Sequence, residues 1–110
     1  MKNLFGLDGE VAVVTGALGK LGSVWIEALV DAGASVFALD LANVSISEEF
    51  DKLQKRFDET RLKLERTDVK DRHSLEAAGN HCVASFGVPR IRVTNAGIDS
   101  PPSKTAQADW

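Results

Sequence analysis

Glu10-Val11-Ala12-Val13-Val14-Thr15-Gly16-Ala17-Leu18-Gly19-Lys20-Leu21-Gly22 is the stretch on which the fold turns. A short apolar run closes on a threonine, and glycines then stand at 16, 19 and 22. Immediately after, Leu21, Val24, Trp25, Ala28, Leu29 and Ala32 recur at helical spacing, and Gly33 follows where a helix would stop. A second apolar run, Ser35-Val36-Phe37-Ala38-Leu39-Asp40, ends in an acid. Both runs are expected to be fully buried strands. Strand, glycine turn, helix and strand in so short a span make a βαβ unit. Its two strands must then be parallel and its crossover right-handed.

Downstream the composition changes. From Glu48 to Glu76, 17 of 29 residues are charged, 8 basic and 9 acidic, as on a solvated surface. Within it Phe50, Leu53 and Phe57 keep one helical stripe, and Ser45 with Glu48 is spaced as a capping box for a second helix. Arg61-Leu62-Lys63-Leu64-Glu65 alternates with period two and is expected to be strand three. A third helix is predicted from Asp71, with Leu75, Ala78, Cys82 and Phe86 on its apolar stripe, and Gly87 ending it. Gly79 weakens that helix by roughly 1 kcal/mol relative to alanine. Arg90-Ile91-Arg92-Val93-Thr94 is the best candidate for strand four, although Pro89 stands at its entrance and Arg92 interrupts the apolar run. The expected architecture is a three-layer, Rossmann-like α/β domain over residues 1–97. Four parallel strands lie in the order 3-2-1-4, doubly wound, and 98–110 follow as a loop or tail.

At 110 residues the chain holds one domain at most, and 44% hydrophobic with 26% charged residues is ordinary globular usage. A net charge of -3 provides no basic field for nucleic acid or anionic lipid. The single cysteine, Cys82, excludes an internal disulfide and a thiolate zinc cage. No leader or membrane-spanning run is visible, so a cytoplasmic protein with a small-molecule partner is expected.

The glycine turn lies where a phosphate-binding turn belongs. Gly16 can take the tight bend, Gly19 lets a pyrophosphate approach the backbone, and Gly22 lets the helix pack on the strand. Amides at the helix start would face the phosphates. A turn that is merely tight is the plain alternative. A Walker A loop fails, because its pattern needs glycine at Val14 and a hydroxyl at Leu21. A methyl-donor-binding domain also places a glycine turn after strand one and an acid after strand two. Asp40 stands where a carboxylate can accept from both ribose hydroxyls, and its charge would repel a 2'-phosphate. NAD is therefore expected over NADP, with an Asp40 that only caps the following loop as the alternative. No basic residue lies within Leu41–Ile46 to reverse the preference.

These residues resemble the short-chain dehydrogenase/reductase family over nearly the whole chain. Thr15-Gly16-x-x-Gly19-x-x-Gly22 is similar to the family's glycine motif in its extended-member spacing; the commoner spacing would put glycine at Lys20. Asp40 resembles the NAD-selecting acid, Asp68-Val69 the pair beside adenine, and Asn95-Ala96-Gly97 most of the motif after strand four, with Thr94 in place of its first Asn. The resemblance implies that Thr15, Gly16, Leu18, Gly19, Leu21, Gly22, Asp40 and Leu41 bind the cofactor, with the glycine turn at the phosphates and Asp40 at the ribose. Asp68 would bond the adenine amino group, Val69 would pack on the ring, and Asn95, Ala96 and Gly97 would line the crevice.

The family's Tyr-x-x-x-Lys motif has no counterpart, since the sequence contains no tyrosine. No catalytic residue is assigned, and the chain is expected to bind NAD as part of an oxidoreductase and to be inactive alone. A non-catalytic structural or interaction protein that keeps the fold without the cofactor is the alternative. Strand four, as an open parallel edge, is expected to pair with another copy. His73 and His81 lie two helical turns apart with no third ligand, so no metal site is expected. Cys82 and Trp25 are expected in the core, and Lys20 in solvent at the first helical turn.

Overall fold

The computed structural model describes residues 6–94. Seven elements alternate along it: β1 (Val11–Thr15), α1 (Lys20–Asp31), β2 (Ser35–Asp40), α2 (Glu48–Arg56), β3 (Leu62–Arg66), α3 (Arg72–Ser85) and β4 (Ile91–Thr94). The four strands form one parallel sheet in the order β3-β2-β1-β4, the order expected from the sequence.

Strand parity divides the interior in two. Ala12, Val14, Val36 and Ala38 face α1 and α2, packing against Ile26, Leu29, Val30, Phe50 and Leu53. Val11, Val13, Phe37 and Leu39 face the other way, onto Ala78 and Cys82 of α3, with the Phe86 ring edge-on to Phe37. Every residue of β1 is buried because it lies between two strands and between two helical layers. The edge strand β4 alternates instead: Ile91 and Val93 pack toward α1, while Arg92 and Thr94 are exposed on the α3 side. That placement is what lets an arginine stand in the strand.

Three expectations are corrected. In α1 the buried residues are Gly22, Ser23, Ile26, Leu29 and Val30, whereas Leu21, Val24 and Ala28 are exposed and Trp25, expected in the core, is 44% exposed. The helix is rotated because two small residues in its first turns, Gly22 and Ser23, let it sit close to the sheet, which the bulk of Trp25 would prevent. In α2 the cap is Ser47, whose Oγ accepts from the Phe50 amide at 3.1 Å, and not Ser45. In α3 only Ala78 and Cys82 of the expected stripe are fully buried.

The α1 rotation has a measurable consequence. Ile26→Val is expected to cost about 1 kcal/mol in urea unfolding, because it removes a methyl from a fully packed site. Val24→Ala, also a loss of aliphatic bulk, should stay within about 0.5 kcal/mol. The reverse ranking would return Val24 and Trp25 to the core.

The C-terminal end of α1 is closed from the residue just before β3: Arg61 donates through Nη2 to the carbonyls of Val30 (2.9 Å) and Ala34 (3.1 Å). The Val30 carbonyl is among the last of α1, which a helix end leaves without intrahelical partners, and Ala34 lies in the connection to β2. The buried Cys82 thiol has its pKa raised by desolvation, which makes it a packing residue and a poor nucleophile.

Candidate functional site

The candidate residues among those described converge where β1, β2 and β3 end, which is where ligands bind open parallel sheets. Thr15, buried at the end of β1, leads into Gly16, whose φ of +64° turns the chain sharply out of the sheet. The Ala17 amide donates to the Leu39 carbonyl at 3.1 Å, so the turn is tied to β2 as it forms. Leu18 is buried beneath it.

The glycines have separable roles. A Cβ on Gly22 would lie 2.6 Å from the Gly16 carbonyl oxygen and 2.7 Å from that of Ala17, so the approach of α1 to the turn requires glycine there. Gly19 is different. Its φ of -78° suits any residue, and a Cβ there would meet only the Gly16 oxygen, at an ordinary 3.8 Å. Gly19 is also the N-cap of α1, where no side chain caps the helix and no acid occupies the first turn. Ser, Thr, Asp or Asn would stabilise such a position better. The protein's own packing therefore does not require glycine at 19, whereas a phosphate resting on the helix start would. This open cradle fits the pyrophosphate of a dinucleotide.

Asp40 ties the turn to the next loop. Its Oδ2 accepts from the Leu18 amide at 2.9 Å and its Oδ1 from the Leu41 amide at 2.8 Å. The loop-capping role weighed for Asp40 from sequence is thus present, and the same carboxylate also anchors the glycine turn. Each carboxylate oxygen has a second lone pair with which to accept from a ribose hydroxyl. The Asp40 carbonyl accepts from the Thr67 amide at 2.8 Å, bringing the end of β3 alongside.

Asp68 is exposed beyond β3, and its carboxylate accepts from the Lys70 amide at 3.0 Å; Val69 beside it is half-buried. Leu21 and Leu41 are exposed at the rim, on the first turn of α1 and just after β2. Asn95, Ala96 and Gly97 lie outside the described residues, as does the segment 98–110. His81 faces Glu65, with Nδ1 2.8 Å from each carboxylate oxygen. Among the described residues no group of three or more His, Cys, Asp or Glu is placed to hold a metal, and no helix is long and apolar enough to cross a membrane.

Sequence reasoning missed Arg66. Its Nη1 donates to the carbonyls of Leu41 (2.6 Å) and Val44 (2.5 Å), so a cation from β3 reaches the loop that carries none of its own. A signal was available: Arg66 continues the Leu62 and Leu64 phase, where an apolar residue would be expected.

Comparison with known proteins agrees with this geometry. The family model described as short chain dehydrogenase matches residues 10–110. Over 92 residues the chain is 33% identical to 3beta-hydroxysteroid dehydrogenase 2 of Eggerthella lenta, covering 84% of this chain and 35% of that protein. It is 34% identical over 108 residues to D-threitol dehydrogenase of Mycolicibacterium smegmatis, covering 96% and 41%. Among solved structures, a short-chain dehydrogenase/reductase from Serratia marcescens superposes with a TM-score of 0.70 at 27% identity, covering 83% of this chain and 37% of that one. The chain thus spans roughly two fifths of the length of the curated relatives it matches.

Proposed function

The chain belongs to the short-chain dehydrogenase family, and on that premise we propose that it is the NAD-binding portion of an oxidoreductase. The family implies a nicotinamide dinucleotide, NAD or NADP. The observation that carries the reading is Gly19, a glycine that the packing of the turn does not need and that leaves the start of α1 open. On this reading Thr15, Gly16, Leu18, Gly19, Leu21 and Gly22 border the pyrophosphate. Asp40 and Leu41 border the adenosine ribose, and Asp68 and Val69 the adenine. Asn95, Ala96 and Gly97 complete the crevice. Residues 1–97 form the binding domain, with 98–110 as the segment leading out of it.

Asp40 is the basis for preferring NAD. A carboxylate at the end of β2 accepts from two hydroxyls, whereas a 2'-phosphate would bring a second negative charge against it. Hydride transfer also needs a group that exchanges a proton with the substrate oxygen. With no tyrosine among the 110 residues, binding without turnover is the proposed property of this chain by itself. Self-association is proposed along the outer side of β4, an edge of the sheet formed by the four described strands.

Calorimetric titration of the 110-residue chain with NADH and, separately, NADPH tests the reading, with sedimentation in the same buffer reporting association. Saturable NADH binding with weaker NADPH binding is expected. No heat with either ligand, from a sample that is folded by circular dichroism, would reduce the motif to architecture and favour the non-catalytic protein.

A further inference from the structure

Leu41 is held through both of the peptide groups that flank it. Its N–H donates to Asp40 Oδ1 at 2.8 Å, and its C=O accepts from Arg66 Nη1 at 2.6 Å. The same nitrogen of Arg66 reaches the Val44 carbonyl, and the Val44 amide donates back to the Leu41 carbonyl at 3.3 Å, closing residues 41–44 into a turn. Asp40 and Arg66 are register partners on adjacent parallel strands, and both continue the strand phase that faces α1 and α2. The acid at the end of β2 and the cation at the end of β3 thus hold the two successive peptide groups that flank the Leu41 Cα.

We propose that Arg66 is a positioning residue for dinucleotide binding, acting through the backbone of Leu41 on the orientation of Asp40. The proposal rests on the reading of the site given above and adds to it a residue that lies outside every motif of the sequence. The physical basis is the geometry of the guanidinium. It is planar and always charged, so two carbonyls held by one nitrogen fix the loop more firmly than a flexible ammonium would. With the Leu41 carbonyl anchored, its neighbouring amide stays directed at Oδ1. The Leu18 amide holds Oδ2, and the remaining lone pairs of the carboxylate keep one fixed direction. Without Arg66, the ribose edge would have to order the loop as it bound, and affinity would fall by the cost of that ordering.

Arg61 supplies the control. It too donates to two backbone carbonyls, but from just before the opposite end of β3, on the close of α1. Arg66→Ala is expected to weaken NADH binding about tenfold. Arg61→Ala should leave it within about twofold while losing comparable thermal stability. Arg66→Lys should restore part of the affinity, since an ammonium can reach one carbonyl. The Leu41 amide resonance in 15N-labelled protein should move in Arg66→Ala and not in Arg61→Ala. NADH binding by Arg66→Ala as tight as by the parent would overturn the proposal and leave the dinucleotide reading standing. So would equal losses in the Arg66 and Arg61 variants, or an Arg66→Lys as weak as Arg66→Ala. If Arg66→Ala does not fold, the Arg66→Lys comparison and its Leu41 resonance decide alone. A folded parent that binds neither NADH nor NADPH would remove the dinucleotide reading and the proposal with it.

Discussion

Gly22→Val is expected to abolish the folded domain, whereas Gly19→Ala should keep the domain and lose the dinucleotide. Three glycines in one turn look equivalent in the sequence, but the geometry separates them. At Gly22 a Cβ would press on the carbonyl oxygens of Gly16 and Ala17 at 2.6 and 2.7 Å and on the Ala17 carbonyl carbon at 2.8 Å. These are backbone atoms. Relieving the contact means lifting α1 off the turn, and α1 supplies Ile26, Leu29 and Val30 to the larger core. Overpacking by one or two methylenes costs about 1–3 kcal/mol where side chains can yield, and more where only backbone can move. A domain of this size has a margin of only about 5–10 kcal/mol. Valine adds two further methyls to the clash, so loss of the cooperative melt is expected by circular dichroism.

At Gly19 an added methyl meets nothing closer than 3.8 Å and the backbone needs no positive φ. The cost to stability should be about 1 kcal/mol or less, the difference between glycine and alanine at an N-cap. The methyl would stand where a pyrophosphate approaches the helix start, and affinity for NADH should fall on the order of a hundredfold. A Gly19→Ala variant that binds as the parent does would mean that no phosphate rests there. A Gly22→Val variant with a normal melt would mean that α1 does not need its close seat on the turn.

How far the sequence can be read follows from the same distinction. The sheet order and both outer limits of β2 are legible because buried parallel strands are nearly continuous apolar runs, and Val11–Thr15 and Ser35–Asp40 are such runs. The rotation of α1 was not legible from apolar periodicity, because two stripes compete over the same turns and share Leu29. Leu21, Val24 and Trp25 are the more hydrophobic set, yet Gly22 and Ser23 lie inward, because closeness to the sheet matters more there than side-chain area. Gly22 carried that information in the motif itself, since a glycine needed for close packing must point at what it packs on. The capping serine was ambiguous for a simpler reason: Ser45 and Ser47 both precede acids, and only the path of the loop decides between them. At the site, the positions at the strand ends were legible from chain order. The bonds between them were not, because Asp40 to Leu18 and Arg66 to Val44 each span 22 residues and depend on strand register.

Asp40→Ala should lower NADH affinity by on the order of a hundredfold and remove the preference for NADH over NADPH. The carboxylate has two structural bonds, to the Leu18 and Leu41 amides, and in the proposed complex it accepts from the ribose as well. Hydrogen bonds to a charged group are worth about 1.5–3 kcal/mol each, so losing the ribose contacts alone accounts for an effect of that order. Asp40→Asn separates the charge from the hydrogen bonds. An amide keeps one acceptor oxygen, so it can hold either the Leu18 or the Leu41 amide but not both, and its other end becomes a donor. NADH binding should therefore weaken less than in Asp40→Ala, while NADPH gains about tenfold relative to NADH, because the charge that opposed the 2'-phosphate is gone. Competitive titration of the two cofactors against each variant measures both quantities. An Asp40→Asn variant with an unchanged cofactor ratio would show that the negative charge does not select. The preference would then have to come from the fit of the 41–44 turn, which makes the Arg66 anchor, and not the carboxylate, the determinant to pursue.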